Sequence, residues 1–519
     1  MSVIPVVDAG QAAAWDERAR VTANIPGRVL MESAGRAAAH VVAREFGQAL
    51  GHGVLVATGH GNNGGDGWVL SRALAAAGVP VWAAETAGKR SPDCAANRAL
   101  ALASGVALVD ADEPWPDCGV LVDALLGTGA TGTPRAGILQ LVRRLTAHGA
   151  PIACVDGPTG LDLSTGAAHE ACQAALTVTF GGLRRGHLLG RAWCGKVIVV
   201  DIGFPPPDPS WPVFVDDARA RALLPGFDLD MHKGRRGRVL VVGGDQGMAG
   251  AALHAARAAL EAGAGLVKLA AHPASVAAAQ AASPDMLTIP TALGPVPEPA
   301  VAQAIEWADA IVLGPGLGRG PERAPFVGAV LERARVPVVL DADALHAGLD
   351  VLARGPAPRV LTPHEGEFRV AFPKLAKSLD ADRFAACHHA LASLVSALSV
   401  QSVSSALLLK GIPTIVAAPE GTSLVTASGN PALATGGSGD LLAGFVGAFL
   451  ARGVPPAQAA ALGAHVLGRG AELAAEQLTV RGTRPADVLA ALPALWRRWA
   501  EPGQISPPVL LELEPPQLI

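Results

Sequence analysis

Two series of short apolar runs, each alternating with alanine-rich stretches, constrain the fold of this 519-residue chain more than any other feature. Apolar strands that are separated by helices are typical of a parallel sheet covered on both faces. In the first half the predicted strands lie at 53–58, 119–125, 151–156, 176–180 and 196–203, with helices that include 67–77 and 136–147. The sequence therefore predicts an α/β domain in this half.

A proline cluster at 203–212 interrupts the pattern, which then restarts in the second half. The predicted strands of this half lie at 237–244, 265–271, 309–314, 337–343, 358–363 and 406–411, and its helices lie at 382–399, 439–451 and 456–476. We expect a first domain at 1–215, a linker at 216–230, a larger α/β domain at 231–500 and a poorly ordered proline-rich tail at 501–519.

The composition argues against several classes of protein. Hydrophobic residues make up 50% of the chain, yet alanine and glycine supply much of this fraction, and the sequence has no clean apolar span of about 20 residues. The net charge of −4, without a basic stripe, argues against a nucleic-acid binder. The N-terminus lacks a signal-peptide pattern, and the six cysteines are scattered. We therefore expect a cytoplasmic protein with free thiols that binds neither membranes nor nucleic acid.

The string "ATGGSGDLLAG" at 434–444 joins a glycine-rich turn to the start of an apolar helix. Glycines let backbone N–H groups converge on an anion, and the N-terminus of the helix adds a partial positive charge. Asp440 is then either a helix cap or a reactive carboxylate that the helix holds in its ionised form. The turn predicts a phosphate site without identifying the phosphate.

Further polar residues follow other predicted strands of the second half. The string "GPGLG" (314–318) is either a tight turn or a close approach of the backbone to a ligand. Asp341 and Asp343 in "LDADAL", and His364 and Glu367 in "TPHEGEF", each follow the end of a strand. Because ligands of open α/β sheets collect at the carboxyl ends of strands, the carboxylates there are candidates to hold Mg²⁺ through water.

Taken in order, "DADAL", "TPHEGEF", "KGIPT" and "GNPALATGGSGDLLAG" closely resemble the ADP/ATP-dependent NAD(P)H-hydrate dehydratase family, whose fold is ribokinase-like, over roughly 230–497. The resemblance implies that a nucleoside phosphate, which we expect to be ADP, is consumed with Mg²⁺ to remove water from hydrated NADH or NADPH (NADHX or NADPHX). Asp440 is implied as the base that activates the ring hydroxyl for phosphorylation. Substrate contacts are implied for Ala251, Gly316, His364 and Asp440, and nucleotide contacts for Lys410, Gly411, Ile412, Pro413, Thr414 and Gly439.

The segment "GDQGMAGA" (244–251) departs from the pattern of that family. The family commonly has a small residue where this chain has Asp245, and an aromatic residue where this chain has Met248. We expect this departure to change the local shape of the substrate pocket and to leave the fold unchanged.

The first half contains a second specific string, "TGHGNNGGDGWVL" (58–70), which predicts a strand, a glycine-rich loop and a helix. This layout suits a phosphate, although an Asn-Gly-rich surface turn has a similar sequence and the loop is not a G-x-G-x-x-G fingerprint. Together with "DALLGTGATGT" (123–133) and "DGPTGLD" (156–162), the string resembles the NAD(P)H-hydrate epimerase family, which has a Rossmann-like fold, over roughly 25–203. That family inverts the hydrated carbon, so that the dehydratase can use both epimers.

The resemblance to the epimerase family implies a set of site residues. Asp156 is the candidate for proton transfer, and Asn63, Asp123 and Thr159 are implied ligands of K⁺. Thr159 stands where the family usually has serine, and Gly157 stands where it often has an apolar residue, which predicts a looser loop around Asp156. Substrate contacts are implied for Asn62, Asn63, Gly64, Gly65, Asp66, Gly127, Thr128, Gly129, Ala130, Thr131, Gly132, Thr133 and Asp156.

The two resemblances together predict a bifunctional enzyme that repairs NADHX and NADPHX, and we expect it to form a homo-oligomer. One alternative is a ribokinase-type small-molecule kinase with a non-catalytic N-terminal binding domain, which explains Asp440 but leaves "NNGGDG" and "TPHEGEF" unexplained. Another is a first half that serves only as a binding module or scaffold, although Asn63, Asp123 and Asp156 are retained. A dehydrogenase would need an orthodox dinucleotide fingerprint, which the sequence does not show.

Overall fold

The structure is a computed structural model that describes residues 3–398, 404–419, 421–501 and 507–519. The chain forms two compact units, and their boundary in the sequence lies between Phe214 and Val215. The N-terminal unit also contains the C-terminal segment up to Pro516, whereas Gln517–Ile519 belong to the C-terminal unit. None of the described helices is both long enough and apolar enough to cross a bilayer.

The N-terminal unit is built around a parallel sheet. Its strands are β1 (Val6–Val7), β2 (Val54–Thr58), β3 (Val81–Glu85), β4 (Ala107–Leu108), β5 (Val120–Ala124), β6 (Ile152–Val155), β7 (Leu176–Phe180), β8 (Leu183–Arg184), β9 (Lys196–Val200) and β10 (Val213–Phe214). Its helices are α1 (Ala9–Val21), α2 (Gly27–Phe46), α3 (Asn62–Ala76), α4 (Pro92–Ala103), α5 (Ala136–His148) and α6 (Arg185–Leu189). The main sheet contains the order β9-β7-β6-β5-β2-β3-β4, and these neighbours are all parallel.

Alternate residues of the strands enter two separate hydrophobic cores, one on each face of this sheet. In β2, Val56 belongs to the core that contains Trp68 of α3, whereas Leu55 belongs to the core that contains Leu141 of α5. Successive side chains of a strand point to opposite faces, so a sheet that helices cover on both sides requires strands that are apolar throughout. The α/β fold class predicted for this half is confirmed.

The C-terminal unit contains a second, mostly parallel sheet. Its strands are β11 (Arg238–Val242), β12 (Leu266–Ala271), β13 (Leu287–Pro290), β14 (Ala310–Leu313), β15 (Val338–Leu340), β16 (Arg359–Leu361), β17 (Ala406–Leu409), β18 (Thr414–Ala417) and β19 (Leu424–Thr426). Its helices are α7 (Asp217–Leu223), α8 (Ala249–Glu261), α9 (Pro273–Ala282), α10 (Pro299–Trp307), α11 (Arg323–Arg333), α12 (Leu349–Leu352), α13 (Glu365–Ala371), α14 (Ala376–Ala381), α15 (Arg383–Ala397), α16 (Ser438–Ala451), α17 (Pro456–Gly482) and α18 (Pro485–Ala500). The strand order is β19-β18-β17-β16-β15-β14-β11-β12-β13, in which β18 runs antiparallel to both of its neighbours here.

Helix α16, which begins at the end of the glycine-rich turn, is buried along almost its whole length. It approaches α8 so closely that a Cβ atom added to Gly444 would lie 2.1 Å from the backbone oxygen of Ala255. Only glycine permits this approach, because any side chain would force the two helices apart. The packing of α16 against α8 therefore fixes the position of Asp440 in the first turn of α16.

The predicted linker and tail are both wrong in part. The expected linker at 216–230 contains α7, because the carboxylate of Asp216 caps this helix by accepting a hydrogen bond from the Arg219 N–H at 2.8 Å. The described part of the tail contains β20 (Val509–Leu513), which pairs antiparallel with β9. Residues 502–506 of this tail lie outside the described residues.

Strand β20 forms because its apolar residues have a partner in the N-terminal sheet. Val509 and Leu511 are buried, and Glu512 faces the ammonium group of Lys196 at 3.4 Å. The prolines around this segment suggested disorder, but they lie outside the strand, where a missing N–H donor does not disrupt the ladder. The strands predicted from apolar runs all coincide with observed strands, whereas β1, β3, β4, β8, β10, β13, β19 and β20 are not predicted. Residue 399 of the predicted helix 382–399 lies outside the described residues.

Candidate active sites

The C-terminal unit gathers charged residues at the carboxyl edge of its sheet. Asp341 follows β15, His364 follows β16 and Lys410 follows β17, and these three strands are adjacent. Asp440 reaches the same edge from the start of α16. The parallel strands end at one edge of the sheet, so the fold brings together residues that are distant in sequence.

Lys410 forms the centre of this charged cluster. Its Nζ atom lies 2.6 Å from Asp341 Oδ1 and 3.8 Å from Glu367 Oε2. Burial alone would lower the pKa of Lys410, but the two carboxylates outweigh burial and hold the pKa above its ordinary value. A Cβ atom added to Gly439 would lie 3.1 Å from Lys410 Nζ, so the ammonium group lies against the first turn of α16.

Asp440 has a strongly perturbed carboxyl group. Burial, followed by the negative charge of Asp341, raises the pKa of Asp440 to about 7, although Lys410 acts in the opposite direction. The expectation that the helix N-terminus holds this group ionised is therefore wrong, because burial among acidic neighbours outweighs the helix dipole. A carboxyl group with a pKa near neutrality is suited to act as a general base at physiological pH.

The residues expected to contact the substrate lie in the loop after β14 (Gly316), in the first turn of α8 (Ala251) and at the N-cap of α13 (His364). Gly316 has φ of +59°, and a Cβ atom added there would lie 2.8 Å from the backbone oxygen of Met248 and 3.2 Å from Ala251 Cβ. The structure therefore brings Gly316 and Ala251 together. His364 caps α13, where its Nδ1 accepts a hydrogen bond from the Gly366 N–H at 3.0 Å, and its ring is largely exposed.

The residues expected to contact the nucleotide form the turn between β17 and β18. Gly411 has φ of +148°, Thr414 Oγ1 donates a hydrogen bond to its backbone oxygen at 2.9 Å, and Arg383 packs against it. Ile412, in the middle of the turn, is exposed, and a cis peptide bond joins it to Pro413. Lys410 is the first residue of this turn, and because its Nζ atom lies against Gly439, the turn lies beside the start of α16.

The N-terminal unit carries its own buried carboxylate at the end of β6. Asp156 has φ of +66°, and its Oδ2 accepts hydrogen bonds from the Thr128 N–H at 2.8 Å and from Thr128 Oγ1 at 2.5 Å. Its Oδ1 lies 3.2 Å from Arg184 Nη2. Burial would raise the pKa of Asp156, but the charge of Arg184 and the hydrogen bonds from Thr128 outweigh it and hold the pKa below its ordinary value.

Arg184 and His187 belong to this site and are not predicted from the sequence. Arg184 also donates a hydrogen bond from Nε to Thr128 Oγ1 at 2.9 Å. His187 Nδ1 accepts from the Arg184 N–H at 3.0 Å, so its Nε2 carries the proton that is donated to the Asp156 backbone oxygen at 2.7 Å. Burial, assisted by the charge of Arg184, lowers the pKa of His187 to about 4, so the ring is neutral at physiological pH. Arg184 and His187 lie in the string "GLRRGH" (182–187), which contains no motif that indicates a site.

The three residues implied as K⁺ ligands come from three segments of this unit: the first turn of α3 (Asn63), the end of β5 (Asp123) and the loop after β6 (Thr159). Asp123 is fully buried, and its carboxylate accepts hydrogen bonds from the Thr159 N–H at 2.7 Å and from Thr159 Oγ1 at 2.8 Å. The side-chain nitrogen and oxygen of Asn63 are buried without a hydrogen-bond partner among the described residues. A buried amide without a partner is costly, so an oxygen-seeking ligand beside Asn63 fits this site. Clusters of three or more His, Cys, Asp or Glu side chains suited to a metal do not occur in the part of the chain that the structure describes.

The glycine loops that surround Asp156 are packed against strand ends. A Cβ atom added to Gly127 would lie 2.9 Å from Asp156 Oδ2 and 3.4 Å from Asn63 Cγ, so the two predicted loops converge on this carboxylate. Gly64 and Gly65 are buried in the first turn of α3, and burial and the charge of Asp156 raise the pKa of Asp66 well above its ordinary value. The remaining loop residues that were predicted are exposed or half-buried: Asn62, Gly129, Ala130, Thr131, Gly132 and Thr133.

The expectation that Gly157 loosens the Asp156 loop is wrong. A Cβ atom added to Gly157 would lie 2.7 Å from the side chain of Leu163, so the loop is already closely packed at this glycine and a larger residue would require Leu163 to shift. The hydroxyl of Thr159 accepts a hydrogen bond from the Leu126 N–H at 3.0 Å in addition to its bond with Asp123, which ties the loop to the end of β5.

Comparisons with known proteins match both units. A family model described as NAD(P)H-hydrate dehydratase matches residues 239–494, and a model described as YjeF-related protein N-terminus matches residues 27–186. The chain is 38% identical over 514 residues to the bifunctional NAD(P)H-hydrate repair enzyme of Salinibacter ruber, a match that covers 90% of this chain and 92% of that protein.

Other relatives have the same two-domain length. The repair enzyme of Moorella thermoacetica is 35% identical, with 96% of this chain and 97% of that protein covered. The enzyme of Escherichia coli is also 35% identical, with 89% and 88% covered. Among solved structures, an ADP/ATP-dependent NAD(P)H-hydrate dehydratase from Bacillus subtilis, crystallised with ATP and Mg²⁺, is 28% identical over 56% of this chain and 98% of its own, with a TM-score of 0.48.

Proposed function

This chain belongs to the family of bifunctional NAD(P)H-hydrate repair enzymes, and we propose from that premise how its two units divide the work. The N-terminal unit interconverts the R and S forms of NADHX and NADPHX. The C-terminal unit then uses a nucleoside phosphate to remove water from the S form. The observation that carries this proposal is Asp440, whose pKa is raised to about 7 at a glycine turn beside Lys410.

In the dehydratase step, Asp440 takes the proton of the hydroxyl group on the hydrated nicotinamide ring. The oxygen attacks the terminal phosphoryl group, and the backbone N–H groups of the glycine turn, with Lys410, offset the charge that builds on that group. Phosphate then leaves with the oxygen and the ring loses a proton, which restores the double bond. Phosphate is a far better leaving group than hydroxide, which explains why a nucleotide is consumed.

Several residues would hold the two reactants of this step. Ala251, Gly316 and His364 would contact the hydrated dinucleotide, and residues 410–414 with Gly439 would contact the nucleotide. Mg²⁺ would neutralise phosphate oxygens, and the carboxylates of Asp341 and Asp343 offer the hard oxygen atoms that suit it. We expect ADP to be preferred to ATP.

In the epimerase step, Asp156 transfers a proton at the ring, and the loops 62–66 and 127–133 hold the substrate. Arg184 and Thr128 keep the Asp156 carboxylate ionised and fix its direction, because each donates to it. His187 supports the strained backbone of Asp156 through the backbone oxygen.

A K⁺ ion would be held beside this carboxylate by the oxygen atoms of Asn63, Asp123 and Thr159. The unpartnered amide of Asn63 supports this assignment, since a bound cation would satisfy its oxygen. The ion would supply positive charge near the substrate.

The proposal extends to the setting of the enzyme. All six cysteines are free and buried, which fits a reducing cytoplasm. Homo-oligomer formation remains a prediction that follows from the family resemblance alone.

The test uses the purified chain and a mixture of R and S NADHX with Mg²⁺, K⁺ and either ADP or ATP, and it follows the return of reduced-nicotinamide absorbance. We expect complete recovery of both epimers. Asp440→Asn should abolish recovery altogether, whereas Asp156→Asn should still dehydrate the S form and should slow only the recovery of R. Recovery of S alone by the unmodified chain would show that the N-terminal unit is a binding module. Failure with both nucleotides would favour the small-molecule kinase, which a panel of alcohols would then test.

A further inference from the structure

One guanidinium group ties together three loops at the carboxyl edge of the C-terminal sheet. Arg323, at the start of α11, follows the loop after β14, and its Nη2 atom lies 2.5 Å from Asp245 Oδ2 in the loop after β11. Its Nη1 atom donates a hydrogen bond to the backbone oxygen of Leu293, in the loop after β13.

Asp245 fixes the loop after β11 against the loop after β14. Its backbone N–H donates to the Gly316 oxygen at 2.7 Å, and its backbone oxygen accepts from the Met248 N–H at 2.8 Å and from Ser275 Oγ at 3.0 Å. A Cβ atom added to Gly318 would lie 2.8 Å from its Oδ2, so the carboxylate is pressed against the second loop. The charge of Asp245 thereby holds Arg323 where the loops meet.

The ion pair is buried enough for its loss to matter. The side chain of Arg323 is 11% exposed and that of Asp245 is 25% exposed, and the Nε of Arg323 is buried without a partner among the described residues. Glu322 Oε1 lies 3.4 Å from Arg323 Nη1 and its side chain is more exposed, so Asp245 is the nearer and more buried partner of this guanidinium group. Replacing Arg323 leaves the Asp245 carboxylate without its ion-pair partner, and we expect the loops after β11, β13 and β14 to shift in response.

Moving these loops changes the wall of the proposed substrate pocket and leaves the proposed nucleotide turn in place. Met248 ends the loop that contains Asp245, Ala251 lies in the first turn of the helix α8 that follows, and both lie against Gly316. The turn that begins at Lys410 lies after β17, and β16 and β15 separate β17 from β14 in the sheet. Loss of the Arg323–Asp245 pair should therefore weaken binding of the hydrated dinucleotide and leave binding of the nucleotide unchanged.

We propose that Arg323, through Asp245, is a positioning residue that sets the shape of the dinucleotide pocket of the dehydratase and so determines its affinity for the hydrated dinucleotide. This inference rests on the proposed function of the C-terminal unit. It also gives a role to Asp245, whose charge departs from the small residue that related sequences commonly have at this position.

The decisive experiment compares Arg323→Met with the wild-type chain. We expect KM for S-NADHX to rise by about 3- to 30-fold, as for coupled neighbouring residues, with KM for ADP changed less than about 2-fold. For Arg323→Lys, KM for S-NADHX should lie between the values of the wild-type chain and of Arg323→Met. An ammonium group can pair with Asp245 but cannot also reach Leu293 in the same geometry. The exchanged pair, Asp245→Arg with Arg323→Asp, should recover part of the affinity.

Two controls separate positioning from general damage. Arg333→Ala lies at the far end of α11, where its partner Glu306 is exposed, and it should leave both KM values unchanged. The KM for ADP, which binds in the same C-terminal unit, reports whether that unit is folded in each variant. A parallel rise in both KM values, or unchanged KM for S-NADHX, would overturn the proposal.

Hydrogen exchange measured by mass spectrometry tests the same inference without any substrate. Arg323→Met should increase exchange in the loops after β11 and β13 and should leave the turn after β17 unaffected. An inactive wild-type chain would overturn the proposed function, and it would overturn the affinity claim with it. Unchanged exchange in an active variant would instead refute the connection between the loops.

Discussion

Replacing Asp440 with asparagine is expected to abolish dehydration and, at the same time, to stabilise the C-terminal unit at pH 8. Burial and the neighbouring charge of Asp341 raise the pKa of Asp440 to about 7. A carboxyl group whose pKa is higher in the folded chain than in the unfolded chain favours folding while it is protonated, and this contribution is lost as the pH rises through the folded value. Asparagine has nearly the shape of the protonated group and never ionises.

The size of the effect follows from the difference between the two pKa values of Asp440. The ordinary value is 3.8 and the folded value is about 7, and ~1.36 kcal/mol for each pKa unit sets an upper bound of about 4 kcal/mol. The group is partly exposed, so solvent screening reduces the expected gain to about 1–2 kcal/mol. The gain should shrink as the pH falls below 7 and disappear below about pH 4, where the unfolded chain is protonated too.

Hydrogen exchange resolved by mass spectrometry can measure this gain separately in each unit. After correction for intrinsic exchange rates, Asp440→Asn should protect α16 and α8 more than the wild-type chain does at pH 8, and equally at pH 4. In the wild-type chain, kcat/KM for dehydration should fall about tenfold for each pH unit below 7, because only the ionised base reacts. Equal or weaker protection of the variant at pH 8 would refute the argument that burial among acidic neighbours holds Asp440 near neutrality.

Three further outcomes are expected. Asp156→Asn leaves the buried guanidinium group of Arg184 uncompensated, so urea unfolding at pH 8 should show a loss of about 3–5 kcal/mol in the free energy of unfolding of the N-terminal unit. This loss should shrink below about pH 4, because Asp156, whose pKa is lowered, then becomes protonated in the wild-type chain. Gly127→Ala would place a Cβ atom 2.9 Å from Asp156 Oδ2, and the epimerase rate should fall at least about tenfold, whereas Gly137→Ala, where an added Cβ meets open space, should leave the rate unchanged. Asp217→Asn weakens a hydrogen bond of 2.7 Å to His465, so thermal unfolding at pH 7 should show a loss of about 1 kcal/mol in the free energy of unfolding. This loss should disappear as the pH falls through the Asp217 pKa of about 2.

The central strands of both sheets could be predicted because their sequence signal is local. A strand covered on both faces is apolar throughout, as in β2 and β5, and the glycine turn before α16 is read from consecutive residues. Strand β3 is harder to recognise, because "VWAAE" contains two alanines and ends in a charge. Strand β20 depends on a partner more than 300 residues away in sequence, as the pairing of Val509 with Val200 shows.

Parts of each site have no local signal at all. Arg184 lies in a stretch that reads as an ordinary basic turn, and it becomes a partner of Asp156 only because β8 and the end of β6 meet in space. Lys410, Asp341 and Glu367 are each singled out within their own segments, but no segment shows that the three side chains meet in one ion-pair cluster. Electrostatic environments arise from such distant pairings, and for this reason the sequence did not reveal the protonation behaviour of Asp440.

The two units show that one sequence layout can produce opposite electrostatic results. Each has a glycine-rich turn and a carboxylate at the carboxyl edge of a parallel sheet. Asp156 is surrounded by donors, and their combined effect lowers its pKa, whereas Asp440 is surrounded mainly by other acids, and its pKa rises to about 7. A base that must accept a proton from a hydroxyl group benefits from the second environment, because a base with a very low pKa accepts protons poorly. The lower pKa of Asp156 keeps that group ionised at neutral pH, so in the proposed epimerase step it starts as the base that accepts a proton from the ring, and the donors around its carboxylate fix its direction.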